Sequence, residues 1–222
     1  MIFKKFIIPN QFRMFYKEYK NLSFRMLDIG CGNHSASKAN YWFRNCIYSG
    51  IDKQNYNNDE TDLALMEKYF EIDLQTNVED TDKLPDSYYD VIVCSHIIEH
   101  VTTGIQLIEI LSKKIKPGGK IYIEFPSVRS LKFPKMYGTL NFCDDETHIR
   151  IYSIQEVANA LLKNGYLIKK AGTRRNPKRI IFFPVILLLD FIKTGKLVAY
   201  GFWDILGFAE YVLAERKKQD SI

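Results

Sequence analysis

A chain of 222 residues, 46% hydrophobic and 26% charged, has the apolar content for one substantial core and too much of it for a disordered tail. Its longest apolar run, residues 180–189, contains Pro184 and is half of the roughly twenty residues a spanning helix needs, and Cys31, Cys46, Cys94 and Cys143 form no CxxC pair and follow no secretory leader. A transmembrane helix and a disulfide scaffold are excluded, and a cytoplasmic protein with reduced thiols is expected.

The net charge of +5 hides a division. Residues 1–25 carry six Lys/Arg against one acid, residues 163–196 nine against one, and residues 26–162 thirteen against twenty. Basic flanks around an acidic middle suit an anionic surface or acceptor near the flanks, or simply a well-solvated exterior. Residues 1–24, with Phe3, Phe6, Phe12, Phe15 and Tyr16, are expected to form a basic, aromatic cap on a domain spanning 25–222.

In chain order, residues 25–29 predict a strand that runs into Gly30-Cys31-Gly32, and 34–45 a helix. Residues 47–51 predict a second strand ending on Asp52, 61–70 a helix and 71–74 a brief third strand. The segment YDVIVCS at 89–95 is nearly continuous apolar sequence, the pattern of a central parallel strand covered on both faces. Apolar side chains at 105, 108, 111 and 115 have helical spacing over 102–115, and Pro117-Gly118-Gly119 stops that helix before a strand at 120–125. Ser153 and Glu156 form a capping box at the head of a helix striped by Ile154, Val157, Ala158, Leu161 and Leu162 and closed by Gly165. Strands are expected at 166–173 and 208–215, separated by an insertion at about 174–206 that begins basic and turns strongly apolar. Alternating β and α units imply an α/β, doubly wound, mostly parallel sheet with helices on both faces.

The chemistry turns on Asp28-Ile29-Gly30-Cys31-Gly32. A dinucleotide loop wants GxGxxG, but Ser35 holds the third glycine position, and Asp28 would face an anionic pyrophosphate. Two like charges about 4 Å apart repel by roughly 4 kcal/mol at an effective dielectric of 20. A ligand bearing an ammonium and a sulfonium turns that repulsion into attraction. Asp52, at the next strand end, suits ribose hydroxyls, and Asp73 with the Leu74 backbone suits an adenine.

With LDIGCG at 27–32, Asp52 after IYSGI, Asp73 in EIDL, DVIVCSHIIEHV at 90–101 and KPGGKIYIEFP at 116–126, the chain resembles the class I S-adenosylmethionine-dependent methyltransferases over residues 25–173. The resemblance implies a Rossmann-like, seven-stranded sheet with an antiparallel last strand at 208–215 and S-adenosylmethionine as cofactor. It places Asp28, Gly30, Cys31 and Gly32 around the methionine part, Asp52 with Lys53 at the ribose, Asp73 and Leu74 at the adenine, and Ser95 and His96 beside the sulfonium. The nearest likeness is to the branch acting on quinone precursors, sugars and lipids, so methyl transfer to a small-molecule or lipid-linked acceptor, at oxygen, is expected. His100 and His148 are the catalytic candidates, each with a turn-fixing role beside the catalytic one. Where a metal-binding subset of the family has its first glutamate ligand this chain has His96, which argues against a metal. The HxxEH pattern of 96–100 also matches some zinc peptidases, but it leaves a buried strand rather than lying on a helix.

Two other readings stand beside this one: a nicotinamide-dependent oxidoreductase on a related fold, and a cofactor-binding regulatory subunit without catalysis. The insertion reads as a peripheral membrane contact, a substrate lid or a dimer contact. Nucleic acid is not an expected partner, and the oligomeric state is not legible.

Overall fold

The computed structural model describes residues 7–218; Phe3 and Phe6 lie outside them. Seven strands, β1 (Phe24–Ile29), β2 (Cys46–Asp52), β3 (Met66–Glu71), β4 (Tyr89–Ser95), β5 (Ile115–Pro126), β6 (Tyr166–Thr173) and β7 (Ala209–Arg216), form one sheet in the order β3-β2-β1-β4-β5-β7-β6. Only β7 is antiparallel to its neighbours. The order reverses between β1 and β4, which opens a crevice at their carboxyl ends, where open α/β sheets bind ligands.

Period-two alternation sorts the strands' side chains between two cores. Phe24 and Met26 of β1, Val91 and Val93 of β4 and Tyr122 of β5 pack on one face beneath α1 (Asn10–Arg13), α2 (Tyr16–Tyr19) and α3 (Ser35–Trp42). Leu27 and Ile29, Ile92 and Cys94, and Ile121 and Ile123 pack on the other beneath α5 (Gly104–Lys114) and α6 (Ile154–Lys163). Of the expected capping box only the serine half opens α6, the Ser153 hydroxyl accepting from the Glu156 amide, because the Glu156 carboxylate is drawn to Arg150.

Three local expectations are corrected. The predicted helix at 61–70 is only α4 (Glu60–Ala64), and the third strand is 66–71 rather than 71–74. Tyr69 and Phe70 pair with Gly50 and Ile51, so cross-strand pairing overrides the helical composition, and Asp73 and Leu74 fall in the loop beyond the strand. The helix expected over 34–45 ends at Trp42, because Phe43 leaves helical geometry and inserts into the core. Phe12 and Phe15 of the N-terminal segment belong to that core, and the Phe15 and Phe43 rings stack at 5.5 Å.

The insertion folds as α7 (Pro177–Ile181), α8 (Phe183–Thr194) and α9 (Ala199–Leu206). α9 is seated by buried Ala199, Gly201 and Asp204, whereas α8 buries no residue. Ile181, Leu188 and Ile192 are 71%, 58% and 71% exposed. Among the described residues no helix is long and apolar enough to cross a membrane.

Candidate functional site

The glycine loop caps the crevice. Gly30 sits at φ +79°, and a side chain there would strike the Ile97 Cδ1, which lies 2.2 Å from the position of its Cβ. Gly30 and Cys31 amides bond to the Ile51 carbonyl, and the Gly32 amide donates to Asp52 Oδ2 at 3.0 Å. Asp52 Oδ1 accepts from the Lys53 amide at 2.8 Å, so the carboxylate is aimed by the two loops it joins while keeping lone pairs for a ligand. Asp73 Oδ1 accepts from the Gln75 amide at 3.0 Å, and Leu74 is buried beside it. The Lys53 side chain is exposed, and its amide is the part that meets the site. Cys31 turns its thiol into the core against Gly50, so only its backbone faces the loop, and burial pushes that thiol up, away from nucleophilic use.

Asp28 is buried and accepts from the Tyr48 hydroxyl at 2.7 Å. Burial raises its carboxyl to about 7, against the lowering effects of Tyr48 and Lys38, and Asp52 adds to the rise. The fold therefore favours the neutral acid, and ionising it as pH rises from the ordinary carboxylate range costs stability that a cationic ligand offsets. If the ligand's ammonium is read by Asp28, affinity for S-adenosylhomocysteine should rise about tenfold from pH 6 to pH 8, as the ionised fraction climbs through that value. Asp28→Asn should flatten the dependence; calorimetry giving the same slope for both proteins would discard the role.

At the tip of β4, His96 adopts φ 57°. Its Nδ1 lies 3.1 Å from Glu99 Oε1 and its Nε2 3.0 Å from Glu124 Oε1. Burial alone would lower this histidine, but the hydrogen bonds and charges of Glu124 and Glu99 prevail and hold it raised at about 9. Glu124 also accepts from Tyr122 and from Arg174 NH1 at 3.0 Å, and Arg174 NH2 reaches Asp204 Oδ2 at 3.3 Å. Asp204 is further held by Arg179 Nε at 2.9 Å, the Asn176 amide at 2.8 Å and Asn10 Nδ2 at 3.3 Å. Burial raises Glu124, yet Arg174 and His96 keep it below the usual carboxylate range. This ladder joins β4, β5, the end of β6, α7 and α9, and the Trp203 ring lies 5.0 Å from that of His96 and covers it.

His100 and His148 come together as the sequence suggests, with ring centroids 4.7 Å apart. His148 stacks on Phe142, and the Glu99 carbonyl accepts from the Ile149 and Arg150 amides, which fixes the 148–150 loop beside β4. Among the described residues, two groups bring three metal-ligand atoms within 4.8 Å: Glu99, His100 and His148, and His34, Asp59 and Asp62. The ladder residues Glu124, Arg174 and Asp204 escape a reading by motif; the one sequence signal is an acid inside the apolar strand IYIEFP.

A family model described as a methyltransferase domain matches residues 7–170. The ubiquinone biosynthesis O-methyltransferase of Idiomarina loihiensis is 32% identical over 100 residues, 44% of this chain and 40% of that protein. The enzyme of the same name from Aeromonas salmonicida is 31% identical over 101 residues, 45% and 42% of the two chains. The matched part is about two-fifths of the length of these curated relatives. Among solved structures, a SAM-dependent methyltransferase from Archaeoglobus fulgidus superposes with a TM-score of 0.57 at 20% identity, covering 93% of this chain and 91% of that one. Phosphoethanolamine N-methyltransferase 2 of Haemonchus contortus, solved with S-adenosyl-L-methionine, gives 0.60 at 17% identity, with 95% and 53% covered. The nicotinamide-dependent alternative is set aside by the family match.

Proposed function

Because the chain belongs to the methyltransferase domain family, we propose that it transfers a methyl group from S-adenosylmethionine to an oxygen of a small-molecule or lipid-linked acceptor. The observation that carries this reading is the glycine loop folded onto Asp52 at the point where the strand order reverses. Asp28, Gly30, Cys31 and Gly32 hold the methionine part, Cys31 through its backbone. Asp52 and Lys53 hold the ribose, Asp73 and Leu74 the adenine, and Ser95 with the backbone of His96 lines the sulfonium. The methyl carbon is activated by the positive sulfur, so the protein's main task is alignment, which supplies roughly 7–11 kcal/mol of such a barrier. His100 and His148 stand where an acceptor hydroxyl is positioned and its proton received.

Relatives named for ubiquinone biosynthesis favour an aromatic acceptor with neighbouring hydroxyls and an apolar tail. The insertion suits such a tail. The apolar face of α8 is bare, and exposed Lys178, Lys193 and Lys196 lie in the same insertion, the composition of a segment that rests on an anionic bilayer. Each such residue contributes about 1 kcal/mol near an anionic surface, screened by salt.

One experiment tests both halves: labelled S-adenosylmethionine is offered with a prenylated 1,2-dihydroxybenzene in sedimentable vesicles. Methyl incorporation is expected, with protein retained by anionic vesicles at low salt and released at high salt. Retention without methylation of any hydroxylated acceptor favours the regulatory subunit. Methylation without retention removes the membrane contact and leaves a lid or a contact between copies.

A further inference from the structure

The loop that follows β2 folds back on the glycine loop instead of running out to solvent. The Tyr56 carbonyl accepts from the Asn33 amide at 2.8 Å, and Asn57 Nδ2 donates to Asn33 Oδ1 at 2.9 Å. Asn58 spans the turn, its Nδ2 donating to the Cys31 carbonyl at 3.3 Å and its Oδ1 accepting from the His34 amide at 3.0 Å. Asp52 holds the first amide of this loop, that of Lys53, and Asp59 at its far end caps α4, so residues 53–58 are fixed at both ends.

Three residues of this double layer, Asn33, His34 and Asn57, are left-handed, at φ 56°, 58° and 52°. Such backbone is costly outside glycine and persists only where its surroundings over-determine it, a condition met most often at active sites and ligand clamps.

Tyr56 takes part in the clamp through its carbonyl alone. Its side chain is 50% exposed, and among the described residues it makes no hydrogen bond and no ring contact. Its root is nevertheless closely placed. Tyr56 Cβ and Asp52 Oδ2 each lie 3.2 Å from the point where a Cβ on Gly32 would stand, and the Tyr56 carbonyl oxygen lies 2.8 Å from it. The bare Gly32 thus lets the second layer close, and a half-exposed aromatic ring starts beside both the glycine turn and the Asp52 carboxylate.

We propose that Tyr56 is a further cofactor-binding residue, its ring packing on the ribose that Asp52 holds. This rests on the cofactor reading of Asp52. A ring against the sugar buries apolar surface of both partners and sheds water from the hydrogen bonds between ribose hydroxyls and carboxylate, which strengthen as the local dielectric falls. Because the clamp fixes the loop in advance, little ordering is left for the ligand to impose.

The test is calorimetry with S-adenosylhomocysteine on the whole protein and three variants. Tyr56→Ala should bind about tenfold more weakly, the scale of losing one buried ring face, whereas Tyr56→Phe should keep most of the affinity. The clamp does not use the Tyr56 side chain, so the Tm of ligand-free Tyr56→Ala should be unchanged while its rise on adding ligand shrinks. Tyr41→Ala, which removes a side chain 52% exposed at the other end of α3, should bind as the unaltered protein does. Equal affinity of Tyr56→Ala and the unaltered protein overturns the proposal, as does a Tyr56→Phe protein as weak as Tyr56→Ala or an equal loss in Tyr41→Ala. A fall in ligand-free Tm that matches the loss of affinity also overturns it, since the ring then serves the fold. Absence of binding by the unaltered protein overturns the cofactor reading itself and takes the proposal with it.

Discussion

Replacing Arg174 by methionine should destabilise the protein by about 3–5 kcal/mol, the cost of leaving buried partner charges uncompensated. For a chain of this size that lowers Tm by about 6–20 °C. The guanidinium is 5% exposed and divides its two terminal nitrogens between Glu124 and Asp204, each 1% exposed. Without it, Glu124 keeps His96 and Tyr122, and Asp204 keeps Arg179, but three buried acids face two cations. Arg174→Lys should recover only part of the loss, since a single ammonium does not span the two carboxylates as a planar fork does. Thermal unfolding followed by circular dichroism decides this, and a loss below about 1 kcal/mol, typical of an exposed pair, would mean that the ladder is solvated.

Asp52→Ala should weaken S-adenosylhomocysteine binding by about 1.5–3 kcal/mol, the worth of hydrogen bonds to a charged group. That corresponds to roughly 10–150-fold in Kd. The structure adds a second reason. Asp52 also holds the Gly32 amide, at a turn where a Cβ would sit 2.8 Å from the Tyr56 carbonyl oxygen, so the substitution loosens the loop as well as the ribose contact. Asp52→Asn, which keeps one carbonyl oxygen, should fall between the two proteins. An unchanged affinity in a folded Asp52→Ala protein would take the ribose away from this residue.

What the sequence makes legible is local. The glycine turn, the buried strand at 89–95 and the serine cap at Ser153 each declare themselves within a few residues, and each is where it was expected. β3 does not declare itself, because MEKYFE at a sheet edge is mostly exposed or half-buried and has neither strong alternation nor an apolar run. The charge ladder is invisible for a different reason. Its partners lie 28, 50 and 30 residues apart along the chain, so only the completed sheet brings them together. His100 and His148 are legible as candidates from loop position, but the buried Glu99 oxygen beneath them is a fact of packing alone.

The placement of β7 bears on the order in which the molecule assembles. This strand is inserted between β5 and β6, which do not pair with each other. A nascent chain that has reached residue 207 therefore carries two unsatisfied sheet edges, one on β5 and one on β6, and only the next stretch of polypeptide closes both. Until then β6 is an orphan ribbon held by α6, exposed to the mispairing that open edges invite. Arg174 enters at the end of β6 and Asp204 just before β7, so their ion pair brackets the gap that β7 fills. Synthesis of residues 209–216 is thus the step that joins the lone strand β6 to the sheet formed by β1 to β5.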